Sequence, residues 1–145
     1  MSEPTDLLTS TTMLLVAAGR VAQRRFEDAL AQHGLTLRHL GALGHLARQP
    51  GLSYSDLARR ARITPQSMHA TMVQLVELGA VVTQTRGRGN YPQLTEHGRH
   101  LLVVAADIAA ACDAGLPLNG DAAATELRAA LEVIARQITS TPERL

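Results

Sequence analysis

A row of short polar side chains follows a threonine-proline pair in the middle of the chain. Glutamine can bond the edge of adenine through two hydrogen bonds, serine and threonine can bond bases or phosphates, and alanine permits close approach to a thymine methyl group. The residues of the row are Thr64, Pro65, Gln66, Ser67, His69, Ala70 and Gln74. Their chemistry predicts contacts with double-stranded DNA.

Two arginines form a second set, in the segment Arg86-Gly-Arg-Gly-Asn90. Glycines on either side of Arg88 would let this part of the backbone approach a ligand closely. An arginine at the tip of such a loop can enter a narrow minor groove, where the negative potential is enhanced. Arg86 and Arg88 are therefore predicted as a second contact with the duplex.

A helix from Pro65 to Leu78 is predicted to carry the polar row. Thr64 is a suitable N-cap, proline is favoured at the first helical position, and Gly79 can close the helix. Apolar residues recur every three or four positions and should face the core: Met68, Met72, Leu75 and Leu78. This spacing leaves the polar row on other faces of the helix, with its first residues at the exposed end.

The preceding residues predict a second, shorter helix that begins at a cap on Ser53 or Ser55. It carries Leu57, Ala58 and Ala61, and a tight turn separates it from Thr64. The spacing from Ser55 to Gly79 is that of a helix-turn-helix, whose second helix enters the major groove.

A β-hairpin is predicted directly after these helices. Segments 81–85 and 91–94 are rich in β-forming residues, and the loop between them contains glycine. Pro92 cannot donate a backbone hydrogen bond and so favours an edge strand. The order of helix, turn, helix and hairpin predicts a winged helix-turn-helix.

Helices are also predicted on both sides of the winged helix-turn-helix. A long amphipathic helix covers residues 6–32, another runs from Thr36 to the Gln49-Pro50-Gly51 segment, and later helices begin near Glu96 and Asp121. The fold class is therefore mainly α with a small β-hairpin wing. Residues 36–99 are the predicted DNA-binding domain, and residues 1–35 and 100–145 are flanking helical segments.

The distribution of charge agrees with this division. Residues 36–99 carry eight arginines against three carboxylates, a net charge of +5, whereas residues 1–35 and 100–145 carry −1 and −3. A phosphate-binding face requires such a concentration of positive charge.

Composition and motifs exclude other classes of protein. No apolar run approaches the ~20 residues that a membrane span needs, and the N-terminal residues do not resemble a secretory signal. The single cysteine agrees with a reducing compartment. We therefore expect a cytoplasmic protein without membrane association.

Because no phosphate-binding loop, nucleophile motif or carboxylate pair is present, we expect no enzyme activity and no cofactor.

Metal sensing and redox sensing are two alternatives to this interpretation. His97 and His100 fall on one helix face, and His33, His39, His45 and Cys112 are further potential metal ligands. A zinc site needs three or four convergent ligands, and the sequence contains no tight cluster, so no metal site is predicted. Cys112 lies in the apolar row of a late helix, where a thiol usually acts as an inert small hydrophobe rather than a redox sensor.

Several segments, in this order and spacing, resemble landmarks of the multiple antibiotic resistance regulator (MarR) family. They are Leu35-Thr-Leu-Arg-His-Leu-Gly-Ala-Leu, Ser55-Asp-Leu-Ala-Arg-Arg, Ile63-Thr-Pro-Gln-Ser, Leu78-Gly-Ala-Val-Val and Leu94-Thr-Glu-His-Gly. The resemblance implies a homodimeric transcription factor whose N- and C-terminal helices form the dimer interface. It also implies repression of genes and release of DNA when a small, often aromatic or anionic, effector binds between the dimer helices and the DNA-binding lobe. The sequence leaves the effector-binding residues unknown.

The wing departs from the family pattern. Family members usually have a longer loop with an Asp-x-Arg element, whose carboxylate orients the arginine; the segment from Arg86 to Asn90 contains no aspartate. The leading hypothesis is a ligand-responsive repressor that binds a pseudo-palindromic operator, with half-sites ~34 Å apart. The alternative is a ligand-sensing or protein-interaction dimer whose shortened wing no longer supports strong DNA binding.

Overall fold

The computed structural model describes residues 6–140, with side chains up to residue 137. The chain divides after Asp113 into two compact units. The first contains five helices and a two-stranded hairpin among its described residues, and the second contains the last helix. This is the predicted architecture, mainly helical with one small wing.

The first helix, α1 (Thr11–Ala31), begins later than predicted. Residues Leu7–Thr9 form a single 3₁₀ turn instead, because the Asp6 carboxylate accepts the backbone N–H of Leu8 at 3.1 Å. Ser10 then adopts an extended conformation with ψ 131°. The amphipathic pattern that begins at Asp6 therefore spans two elements, and the prediction of one continuous helix from Asp6 was wrong.

Reciprocal caps fix the starts of the next two helices, α2 (Leu37–Arg48) and α3 (Tyr54–Ala61). The Thr36 hydroxyl accepts the backbone N–H of His39 at 3.2 Å, which confirms Thr36 as a cap. Ser53 and Asp56 form the corresponding pair for α3, with both hydrogen bonds at 3.1 Å. Ser53, not Ser55, is therefore the N-cap of α3, since Asp56 lies at the position from which its carboxylate can reach back.

A left-handed residue makes the turn between α3 and α4 (Pro65–Glu77). Arg62 has φ 55° and ψ 43°, and the backbone N–H of Ile63 donates to the Ala58 carbonyl at 3.1 Å. This conformation reverses the chain within three residues, so that Thr64 immediately begins the next helix. Helix α4 ends at Glu77, and Gly79 follows with φ 72°.

The hairpin consists of antiparallel strands β1 (Val81–Arg86) and β2 (Gly89–Leu94), paired from Val81 with Leu94 to Arg86 with Gly89. Both strands are longer than predicted because only two residues, Gly87 and Arg88, form the turn. Gly87 has φ 58°, whereas Arg88 does not have a positive φ. A positive φ at the first central position is the pattern of type II′ turns, which suit the twist of a two-residue hairpin.

The core lies where α2, α3, α4 and the base of the hairpin meet. Eight large side chains of the core, one of them from the end of α1, are less than 2% exposed: Leu30, Leu43, Leu57, Met68, Met72, Leu75, Val81 and Pro92. The predicted inward face of α4 is therefore confirmed for its first three residues, and Leu78, the fourth, is partly buried against the core. Along α1, by contrast, Met13, Leu14, Leu15, Val16 and Val21 are exposed.

Helix α5 (Glu96–Ala114) begins at a crowded junction with the end of α4. Thr95 donates through its hydroxyl to the Gly79 carbonyl at 2.6 Å, and the same oxygen accepts the backbone N–H of Gly98 at 3.0 Å. A Cβ atom on Gly98 would lie 2.2 Å from the Ala80 carbonyl oxygen. The Leu94-Thr-Glu-His-Gly segment thus joins the hairpin, α4 and α5 through close backbone contact.

The second unit contains helix α6 (Gly120–Ser140), which starts one residue before the predicted position. Leu127, Leu131, Val133 and Ile134 are exposed along it. In the sequence, Leu127, Leu131, Ile134 and Ile138 recur at steps of four, three and four, a spacing typical of helix packing; the side chain of Ile138 lies outside the described ones. Within residues 6–140, no helix combines the length and the apolar character needed to cross a bilayer.

Candidate nucleic-acid interface

The first turn of α4 holds its polar side chains in a fixed arrangement. The Thr64 side-chain oxygen accepts the backbone N–H of Ser67 at 3.1 Å and donates its own proton to the Ser67 hydroxyl at 2.9 Å. The Ser67 hydroxyl therefore keeps its own hydrogen available for an external acceptor. Gln66, His69 and Ala70 are exposed beside it, so this end of α4 presents donors and acceptors to solvent.

The opposite side of α4 is anchored in the core. Met68, Met72 and Leu75 are each 1% exposed or less. Thr71 is also buried, although the apolar pattern did not identify it, and its hydroxyl donates to the Ser67 carbonyl at 2.8 Å. The rotation of α4 about its axis is thus set by close packing.

Gln74, the last residue of the predicted polar row, contacts another helix. Its side-chain oxygen lies 2.7 Å from Nε2 of the buried His39 on α2. Because Nδ1 of the same ring accepts the backbone N–H of Thr36 at 3.1 Å, Nε2 must carry the proton and donate to Gln74. The structure therefore gives Gln74 an internal partner, and gives His39 a role in joining α2 to α4.

Tyr54, which sequence reasoning missed, lies between α4 and the hairpin. Its hydroxyl is 2.7 Å from the Thr83 hydroxyl on β1. Its ring meets the His69 ring edge-on, with centroids 5.9 Å apart and planes inclined at 63°. A tyrosine at the first position of a short helix has no distinctive spacing, so only the packing of the three elements identifies it.

The two wing arginines have different surroundings. Arg86 donates to the Gln84 side-chain oxygen at 2.9 Å, and its guanidinium carbon lies 5.8 Å from the centre of the Tyr91 ring. Arg88 is exposed in the turn. The Gln84 amide and the face of the Tyr91 ring thus orient Arg86. In the Asp-x-Arg pattern, an acidic side chain orients the arginine instead. Neither contact cancels the positive charge of Arg86.

A cleft of about 520 Å³ opens between the end of α2 and strand β2. Leu46, Pro50 and Leu94 supply apolar surface, and Arg86 and Arg99 supply positive charge. No carboxylate is found among the described residues that line the cleft. A site with this lining suits an anion with an apolar body.

Hydrogen bonds, burial and neighbouring charges lower the pKa of two residues, Asp56 on α3 and His45 on α2. The Ser53 backbone N–H is the main cause that lowers the pKa of Asp56, assisted by the Ser53 hydroxyl and by Arg59. Burial, followed by repulsion from Arg48 and Arg60, lowers the pKa of His45. Arg48 also lies 3.4 Å from Nδ1 of His45, in a contact that requires an unprotonated ring nitrogen.

The lowered pKa of His45 predicts a loss of stability in weak acid. As the pH falls through 6.5, the unfolded imidazole binds a proton before the folded one, so the free energy of unfolding must decrease. We expect His45→Gln to have a smaller decrease between pH 7.5 and 5 than the unchanged protein, measured by chemical denaturation. His33→Gln, on an exposed histidine, is the matched control. Equal pH dependence in the His45 variant and the unchanged protein would contradict this assignment.

The histidines and the cysteine do not converge in the described part of the chain. Residues 6–140 contain no group of three or more side chains arranged to hold a metal ion. His97 and His100 are neighbours on α5, with ring centroids 6.3 Å apart. Cys112 is a half-buried free thiol on the same helix.

Comparisons with known proteins agree on one family. The model of the MarR family matches residues 33–89. The HTH-type transcriptional repressor Rv2887 of Mycobacterium tuberculosis is 38% identical over 104 residues, which cover 70% of this chain and 75% of that protein.

Two solved structures extend the similarity to most of the chain. The crystal structure of the M. tuberculosis MarR family protein Rv2887 in complex with DNA has a TM-score of 0.75 and 33% identity, and covers 87% of this chain and 98% of that one. The complex of Rv2887 with salicylic acid has a TM-score of 0.68 and 33% identity, with coverage of 87% and 96%. The chain we describe belongs to the MarR family.

Proposed function

We propose that this protein is a ligand-responsive transcriptional repressor, which acts in the cytoplasm as a homodimer on a pseudo-palindromic operator. The observation that carries the proposal is the start of α4, where Thr64 and Ser67 form a rigid cap beside exposed Gln66 and His69. A helix presented in this way can enter a major groove with its first residues against the base edges. The similar repressor Rv2887 has been crystallised with DNA.

The homodimer accounts for the exposed apolar residues of α1 and α6. Leu14, Leu15 and Leu131 are each at least 40% exposed in the single chain. Apolar rows of this kind are typical of helices that pack against another chain. We assign residues 1–35 and 100–145 to dimerisation and residues 36–99 to DNA binding, so that two copies of α4 reach successive major grooves.

The nine candidate residues divide into three groups under this proposal. Six at the start of α4 contact bases or phosphates: Thr64, Pro65, Gln66, Ser67, His69 and Ala70. Arg86 and Arg88 contact the duplex from the wing. Gln74 instead joins α4 to α2, because its side-chain oxygen accepts a hydrogen bond from the buried His39.

Loss of the arginine at the turn should weaken DNA binding in a largely sequence-independent way. Arg88 is exposed, and a phosphate or minor-groove contact from it would release about one counterion. We expect Arg88→Ala to lower affinity for specific and unrelated duplexes by about the same factor. The slope of log K against log salt should fall by about 1.

The matched control is Arg136→Ala on α6, which removes the same charge and a solvent-exposed ion pair with Glu132. Its salt slope should equal that of the unchanged protein. An Arg88→Ala slope equal to the control's would remove Arg88 from the interface.

We propose the cleft beside β2 as the effector site. A planar carboxylate could place its charge between Arg86 and Arg99 and its ring against Leu46 and Leu94. Salicylic acid, found bound to Rv2887, is a suitable probe. It would draw Arg86 away from the duplex, so that DNA and the acid oppose each other's binding.

We expect Arg99→Gln to weaken salicylic acid binding about tenfold while leaving DNA affinity unchanged, as measured by calorimetry and by fluorescence anisotropy. Arg38→Gln, an exposed arginine outside the cleft, is the control. Unaltered salicylic acid binding by Arg99→Gln would exclude this cleft.

Selection of bound genomic fragments tests the function as a whole. The purified protein should enrich sites with two related half-sites about one helical turn apart, and binding should weaken steeply as salt increases. A dimer that binds salicylic acid but shows no salt-dependent affinity for duplex would support the alternative function, a ligand-sensing protein without DNA binding.

A further inference from the structure

The Tyr54 side chain connects three elements of the candidate interface. It lies at the start of α3, its ring packs edge-on against His69 of α4, and its hydroxyl bonds to Thr83 of β1. Thr83 and Tyr54 are both half-buried, whereas His69 is exposed. One side chain therefore contacts a candidate base-reading residue and the wing at the same time.

The backbone that carries Tyr54 is itself firmly held. Ser53 and Asp56 exchange two hydrogen bonds of 3.1 Å across the first turn of α3, immediately around Tyr54. Leu57 is completely buried one turn later. Because a tyrosine side chain has only two main torsions, this anchoring fixes its ring and hydroxyl within a narrow range of positions.

The hairpin needs such an anchor. An isolated two-stranded hairpin is marginally stable, and the outer part of this one, from Gln84 to Asn90, is not part of the core. Val81 and Pro92 hold its base through burial. Thr83 pairs with Pro92, so the bond from Tyr54 holds β1 at the last fully buried level of the hairpin, from which the wing leaves the core.

We propose that Tyr54 is a positioning residue for DNA recognition, which holds the His69 ring and the wing at a set separation. The inference rests on the proposed function, since it assigns a role within that interface. It follows that α4 and the wing bind their two grooves as one unit. Loss of the Tyr54–Thr83 bond would reduce specific binding more than non-specific binding, because only specific binding requires both contacts in register.

A double-mutant cycle on Tyr54→Phe and Thr83→Val tests this role. Each change removes one hydroxyl and keeps the shape of the side chain. We expect each single variant to bind the selected operator about three to ten times more weakly, with almost unchanged affinity for a scrambled duplex. The double variant should be no weaker than either single variant, since both changes break the same bond.

Thr85→Val provides the matched control, because Thr85 lies on the same strand as Thr83 and its hydroxyl donates to the Asn90 side chain within the hairpin rather than to Tyr54. It should bind like the unchanged protein. The thermal unfolding midpoints of all variants would be recorded, and those of Tyr54→Phe and Thr83→Val should stay within a few degrees of the starting value.

A second measurement examines the contact with His69. The base preference at each operator position would be compared for His69→Ala in the unchanged background and in the Tyr54→Leu background, which lacks the aromatic ring. We expect Tyr54→Leu alone to weaken the base preference at the same operator position as His69→Ala. The base preference should not weaken further when both substitutions are present.

Several outcomes would overturn the role of Tyr54. One is an equal loss of affinity for the operator and for the scrambled duplex. Another is that the losses of operator affinity in Tyr54→Phe and Thr83→Val add up in the double variant. The third is an unchanged operator affinity in Tyr54→Phe. If the unchanged protein binds no duplex at low salt, the proposed function fails first. If it binds an operator normally and the cycle shows no coupling, only the positioning role fails.

Discussion

Gly98→Ala is expected to destabilise the folded protein by about 3 kcal/mol, enough to leave a domain of ordinary stability partly unfolded. The added Cβ would lie 2.2 Å from the Ala80 carbonyl oxygen and 3.1 Å from both the Ala80 carbonyl carbon and a Leu94 methyl group. The closest atom belongs to the backbone and cannot rotate away. Relief of the clash would require α5 to move from the junction of α4 and β1.

Gly41→Ala is the matched control for this prediction. Gly41 lies within α2, is exposed, and has no atom within 4 Å of the position of a new Cβ. Alanine there should stabilise the protein by about 0.5–1 kcal/mol, because it lowers the conformational entropy of the unfolded chain. Chemical denaturation of both variants checks the pair. A Gly98→Ala protein as stable as the Gly41→Ala protein would show that the junction is looser than described.

The Ser67→Ala/His69→Ala double variant should lose most of its ability to distinguish an operator from unrelated DNA. The Ser67 hydroxyl has a hydrogen to donate, and the His69 ring is exposed at the same end of α4. Each base contact contributes about 1–3 kcal/mol of discrimination. Loss of two such contacts should cost at least about 2 kcal/mol, so we expect the ratio of operator affinity to scrambled-duplex affinity to fall about 30-fold or more, while affinity for the scrambled duplex stays nearly constant.

Val76→Ala is the control for the double variant, because Val76 is exposed on α4 more than two turns beyond its start. It should keep the full affinity ratio. Fluorescence anisotropy with both duplexes at one fixed salt concentration measures the effect. A double variant with an undiminished ratio would place sequence reading on other residues, and a loss of affinity for both duplexes alike would indicate damage to α4 rather than to base contacts.

Features that depend on neighbouring residues were predictable. The Thr64 cap, Pro65 at the first helical position and the inward row from Met68 to Leu75 all follow from interactions within one or two helical turns. The wing was predicted as a hairpin for the same reason. Its strands proved longer because the turn type, set by Gly87, was not identified from composition.

Misassignments arose where one segment fits two local patterns. Asp6 begins an apolar row that suits a long helix, but its carboxylate competes for the backbone N–H of Leu8 and produces a 3₁₀ turn. Ser53 and Ser55 are both acceptable caps by type. Only the position of Asp56, three residues after Ser53, decides between them.

By itself, the sequence determined the family, the order of the elements and the polar end of α4, because these depend on residue types and short spacings along the chain. The tertiary structure decided which side chains hold α4 against α2 and join α3 to the wing. The bond from His39 to Gln74 spans 35 positions and the bond from Tyr54 to Thr83 spans 29. Such partners meet only when separate elements pack together, and the core, not local propensity, sets the distances between those elements.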